Sequence, residues 1–174
     1  MWDRLRDGEY PSMRNIICAA AAALSAVAPA HAGCWPVEHA SAARVRDLQS
    51  FLMVETLRCQ AMGFNIASDY NAFVRGNRTA IGAANDRLKA FFVGSAGPVY
   101  GQSAYDRFTT SLANAYGAAR TNAESCESAR SLAAEAALMA NSHEGLVMIA
   151  DRQGLNPALP GGRCGQQSIA QLGK

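Results

Sequence analysis

The sequence predicts an all-α protein, a four-helix up-down-up-down bundle closed by two disulfides. Three observations predict it. Beyond residue 32 proline occurs only at Pro36, Pro98, Pro157 and Pro160, so long stretches are free of the residue that breaks helix interiors. Within those stretches apolar residues recur at three- and four-residue steps. Four cysteines remain after an export leader is set aside, an even number with no CxxC or CxxCH spacing among them. No strand pattern of consequence and no internal repeat is present.

The first helix is expected from about Val37 to Met62. Pro36 suits a helix start and Gly63 a stop. Val45, Leu48, Leu52, Cys59 and Met62 form its seam, and Phe51, Met53, Val54 and Leu57 widen it. The second runs from about Asp69 to Phe92, with Tyr70, Phe73, Val74, Ile81, Ala84, Leu88 and Phe91 on one face. Gly76 predicts a kink in it or a division into two helices. Gly94 to Gln102 reads as a loop, after which Ser103 and Asp106 make a capping-box-like start to the third helix. Tyr105, Phe108, Leu112, Ala115, Tyr116 and Ala119 are its inner face. The fourth extends from about Ala123 to Gln153 with Gly154 as its stop, on a stripe of Leu132, Ala136, Met139, Leu146 and Ala150. Asn141-Ser142 marks an interruption at which Ser142 would cap a separate last helix.

The N-terminus carries the pattern of an export signal. Met13-Arg14-Asn15 is a short positive stretch, Ile16 to Ala28 is apolar, and Ala30-His31-Ala32 is a small-x-small cleavage pattern. The apolar stretch is short of the roughly 20 residues a spanning helix needs. Residues 1–12 carry three acids and two bases, wrong for a signal start, which makes Met13 the expected initiator. The organisation is therefore a signal region at 1–32, a helical domain at 33–164 and a flexible tail at 165–174, in a periplasmic or secreted protein. Cys18 leaves with the signal. Cys34, Cys59, Cys126 and Cys164 are expected to pair. On a continuous first helix Cys34 and Cys59 stand about 37 Å apart, too far for a bridge. An antiparallel bundle then brings Cys59 to Cys126 at one end and Cys34 to Cys164 at the other.

Outside the leader the chain carries 13 Lys and Arg against 11 Asp and Glu, with no basic run. Such a balance offers nucleic acid no electrostatic footprint. Walker, GxGxxG, GxSxG and HExxH motifs are missing. No cofactor and no metal site is expected. Met53, Met62, Met139 and Met148 read as core fillers rather than copper ligands. Met53 and His143 fall at different heights, which argues against haem between them.

Three residues are candidates for ligand binding. His143 lies on the apolar stripe between Met139 and Leu146, at the level of Asp47 and Asp86. Glu55 interrupts the first seam and Asn77 the second, at matching heights, as a polar pair that a ligand would exploit. His39, beside Glu38, reads as a solvated helix start. Asn77-Arg78-Thr79 matches a glycosylation sequon but falls inside a helix.

The stretch Arg44 to Leu52, with the export signal and the alanine-rich helices, resembles short exported alphaproteobacterial proteins of unknown function. The resemblance carries no functional motif. Plant invertase and pectin methylesterase inhibitors are also two-disulfide helical bundles. They begin with closely spaced cysteines, however, whereas Cys34 and Cys59 are 25 positions apart. The expected function is a non-catalytic binding or structural module of the cell envelope, with an envelope protein or a small apolar ligand as its partner. The alternatives are a small-ligand or metal-binding protein or enzyme centred on His143, and an envelope stress or chaperone-like protein.

Overall fold

A computed structural model describes residues 33–165. The expected signal region, its cleavage pattern and the expected tail beyond Gly165 lie outside the described residues. Among the described residues the chain is all-helical. The elements are α1 (Val37–Ala61), α2 (Ala67–Gly76), α3 (Arg78–Gly117), α4 (Ala123–Ala137) and α5 (His143–Arg152). None of these helices is long and apolar enough to cross a membrane.

Helix α1 begins after Pro36, whose carbonyl accepts from the backbone of His39 at 3.0 Å and Ala40 at 2.9 Å. It stops at Gly63, where φ is +86°. Ala42, Ala43, Val45, Leu48 and Leu52 are fully buried along it. The expected seam is too wide, because Leu57 and Met62 at its far end face solvent. Met148 on α5 is also exposed, so two of the four methionines read as core fillers are on the surface.

The expected loop at 94–102 is helical. Helix α3 runs through it with one break at Gly97 (φ 77°, ψ 169°), and Pro98 opens the second arm. Proline disfavours α conformation at the residue before it and is itself well suited to a first helical turn, so the break falls there. Ser103 consequently lies inside a helix, its hydroxyl donating to the Val99 carbonyl at 3.3 Å rather than capping. The chain reverses at this break. Phe92 and Phe108 would be about 24 Å apart on a straight helix, yet their rings are 5.5 Å apart. A Cβ at Gly101 would sit 2.5 Å from the Phe92 carbonyl oxygen. Only glycine lets the two arms close so tightly.

The second and fourth expected helices are each divided in two. The divisions face each other and are bonded together. Asn77, at the junction of α2 and α3, is fully buried. Its amide donates to the carbonyls of Phe73 at 3.0 Å and Ala136 at 2.7 Å. Its side-chain oxygen accepts from the Asn141 backbone N–H at 3.0 Å. Asn141 replies with its own oxygen, which accepts from Thr79 N–H at 2.9 Å and Ala80 N–H at 3.3 Å and so caps α3 from across the fold. Asn141 (φ 68°) and Ala140 (φ 48°) hold the left-handed turn that makes this reach, a conformation asparagine tolerates better than most residues. Ser142 caps α5, accepting from Gly145 N–H at 3.0 Å. Gly76 permits the approach, since a Cβ there would lie 3.0 Å from the Ala137 carbonyl oxygen.

The far end is organised by Trp35, only 2% exposed. Its ring centre lies 4.5 Å from Phe91, 5.6 Å from Phe92 and 5.4 Å from Phe108. Its indole N–H donates to the Pro160 carbonyl at 2.9 Å. Trp35 N–H donates to the Gly162 carbonyl and its own carbonyl accepts from Cys164 N–H, forming a short parallel bridge. Beside it Cys34 and Cys164 pair with Cα atoms 4.7 Å apart. Cys59 and Cys126 pair at the other end of α1 with Cα atoms 5.6 Å apart.

Replacing Asn77 by Ala removes one donor to the Ala136 carbonyl and the side-chain acceptor of the Asn141 N–H, the two bonds that join the helix breaks. Urea unfolding is expected to show a loss of about 2–4 kcal/mol; a loss below about 0.5 kcal/mol would mean the junction does not depend on it. The two disulfides differ in access. Cys34 is exposed and Cys164 half-buried, whereas Cys59 and Cys126 are buried. Mild dithiothreitol followed by alkylation mapping is expected to open Cys34–Cys164 well before Cys59–Cys126.

Candidate functional site

Glu55 lies on the buried side of α1 and is 6% exposed. One carboxylate oxygen accepts from Arg58 at 3.0 Å, one helical turn on. Arg58 also donates to the Tyr116 carbonyl at 2.7 Å, in the last turn of α3. The second oxygen, Oε2, is buried and has no hydrogen-bond partner among the described residues. Glu55 lines a cleft of about 360 Å³ between α1 and α4. Phe51, Ala129 and Leu132 form its apolar wall; Asn122, Ser125, Ser128 and Glu124 form its polar edge. No Lys or Arg lines it. The start of α4 is fixed by a reciprocal cap in which Asn122 and Ser125 bond each other's backbone N–H at 2.8 and 3.0 Å. That edge of the cleft is therefore held by the helix cap.

The expected Glu55–Asn77 pair is not formed. Glu55 bonds Arg58, and every polar atom of the Asn77 side chain is used in the junction described above. Helical rise places two side chains at one height but says nothing of the direction each faces. Burial also closes the sequon in the folded chain.

His143 opens α5, and its Nε2 lies 3.1 Å from the Ser41 hydroxyl on α1. Neither expected carboxylate bonds it: Asp47 bonds Tyr116, and Asp86 is exposed. The Ser41 hydroxyl donates to the Glu38 carbonyl at 3.0 Å. With its hydrogen on that carbonyl, the hydroxyl oxygen is the group left to accept from a protonated Nε2 of His143. A hydroxyl whose hydrogen is committed to a carbonyl is not activated for nucleophilic attack. Burial pushes the His143 pKa below its ordinary value, and nearby Arg87 adds to this against the opposing pull of Glu144. The shift favours the neutral ring. His39 is less solvated than expected, since its ring packs on Phe91 at 4.8 Å while facing Glu38 at 3.5 Å.

Asp47 was anticipated only as a neighbour of His143, yet it is among the most buried charges in the domain, 2% exposed. The Tyr116 hydroxyl donates to it at 2.7 Å. Burial raises the Asp47 pKa above the usual carboxylate range, and the Tyr116 hydrogen bond only partly offsets this. Burial and the same carboxylate push the Tyr116 phenol upward. The folded chain thus holds a proton on Asp47 more tightly than the unfolded chain does. Ionised Asp47 costs stability above its folded pKa, and that cost fades as pH falls towards the ordinary value of 3.8. Asp47→Asn keeps the acceptor for Tyr116 and removes the charge. Urea unfolding at pH near 7 and near 4 is expected to show the stability difference moving towards the wild type on acidification. A difference that is constant, or moves the other way, contradicts a raised Asp47 pKa.

No protein-family model, curated protein or solved structure matches this chain.

Proposed function

We propose that this chain is an exported, non-catalytic binding module of the cell envelope, and that its ligand sits in the Glu55 cleft. The observation that carries the proposal is the unpartnered Oε2 of Glu55 beside a cleft of about 360 Å³. A buried acceptor without a donor is costly, and folded proteins keep few of them. A ligand supplying an N–H or O–H donor would satisfy it. The apolar face of that ligand would lie on Phe51 and Leu132, and its outer groups would meet Asn122 and Ser128. A small amine or hydroxylated molecule with an apolar body fits this chemistry better than an anion, because Glu55 and Glu124 both line the cleft.

Export is supported by the two cysteine pairs at disulfide distance, since such bonds persist in oxidising compartments. In this reading the five helices act as four rods running up, down, up and down. The rods are α1, then α2 with the first arm of α3, then its second arm, then α4 with α5. The scaffold would hold the cleft in one shape so that binding costs little ordering.

Native mass spectrometry of protein purified from an oxidising compartment tests this. The expected result is a reproducible small-molecule adduct, or saturable uptake from a panel of primary amines and alcohols. Glu55→Gln should abolish it while leaving the melting temperature within a few degrees. A bare wild-type species that takes up nothing from the panel, like the Glu55→Gln protein, overturns the assignment.

A further inference from the structure

We propose that a second pocket, at the opposite end of α1, binds a small monocarboxylate with an apolar body. This site is separate from the Glu55 cleft and has the reverse chemistry. It is a cavity of about 280 Å³ between the first turns of α1, the middle of α5 and the C-terminal segment at Arg163 and Cys164. Val37, Ala40 and Val147 form its apolar wall. Arg44 and Arg163 supply its charge, and no Asp or Glu lines it.

The two guanidiniums are not equally free. Arg44 forms an ion pair with Asp151, which lies outside the lining, and keeps a buried Nε with no partner. Arg163 donates to the neutral Asn156 side chain at 3.1 Å. Among the described residues one positive charge is therefore matched and one is not, which suits a single negative charge on the ligand. The cavity lies at the start of α1, where the aligned peptide dipoles add positive potential. Glu38, in the same turn, faces His39 at 3.5 Å. Ser41 in the wall already donates to the Glu38 carbonyl and lies against His143, so the unspent groups are guanidinium N–H donors. Carboxylates are the planar anions such forks hold with two bonds.

The apolar wall and the size select the rest of the molecule. A cavity of roughly 150 Å³ accepts a benzene ring, so this one has room for a body of that size and a carboxylate. A hydrated inorganic anion would leave Val37 and Val147 unused. The position of Arg163 is set by its neighbours. The flanking backbone of Gly162 and Cys164 is bonded to Trp35, and Cys164 is tied to Cys34.

The test is titration of the full, oxidised chain with benzoate, read by amide chemical shifts. Benzamide and inorganic phosphate serve as controls. Saturable benzoate binding that moves Val37, Ala40 and Val147 is expected, with no comparable response to either control. Arg163→Gln should weaken it by about tenfold or more, the worth of a charged hydrogen bond. Should that protein fail to fold by circular dichroism, Arg44→Gln provides the same reading. Glu55→Gln should leave benzoate binding unchanged, so that failure at one site is distinguishable from failure at the other. Absence of saturable binding, equal binding of benzamide or phosphate, or indifference to the arginine substitutions overturns the proposal.

Discussion

Each disulfide has one cysteine beside an end of α1, so the longest unbroken helix is tied covalently at both ends to late parts of the chain. Cys34 reaches across 130 positions and Cys59 across 67. In the chain-entropy account, closing loops of these lengths is worth about 4–5 kcal/mol each. The whole stability of an ordinary domain is about 5–15 kcal/mol. Two such ties are therefore comparable with the net stability of an ordinary domain. This explains how a core so rich in alanine, with Ala40, Ala42, Ala43, Ala84, Ala133, Ala136 and Ala150 buried, can also house Asp47, Glu55 and Asn77.

Small side chains have a second effect. They let backbones approach closely, and at such approaches polar groups of the main chain must be satisfied. The junction of Asn77 and Asn141 is the outcome. Two interrupted helices meet at their breaks, and each asparagine satisfies groups that the other interruption leaves bare. Glycine at position 76 makes room for it. A polar residue that looks like a binding group in isolation is here the fastening between two helix pairs.

Much of this was legible in the sequence. The helical class and the cysteine pairs followed from proline placement, periodicity and the length of the first helix. The break points at Gly76 and at Asn141-Ser142 were visible as local signals, though not that they meet. Less was legible where direction or long-range partners decide. Gly97-Pro98 alone makes the turn that nine residues of loop-like composition suggested. Leu57 and Met62 look like core residues by spacing, but face solvent because no helix covers that flank. Trp35 carried no periodic signal, since it precedes the first helix and is buried by a segment more than 120 residues away. For the candidate site, Glu55 stood out as a charge on an apolar seam. Its partner Arg58 stands one turn along the same helix, a spacing the sequence does report, whereas the cleft depends on where α4 begins, which spacing does not report. Arg44 and Arg163 showed no signal at all, because two arginines this far apart in sequence share a pocket only after the chain has closed.

The bond between Cys34 and Cys164 also has a mechanical consequence. Their Cα atoms are 4.7 Å apart, and between them lies the entire helical domain. A pull applied through the chain on either side of the domain passes from Cys34 to Cys164 through one sulfur–sulfur bond. The helices lie outside that path and carry none of the load. While the bond is intact the domain behaves under tension as a bead on a string, adding almost nothing to the extensible length of whatever chain it interrupts.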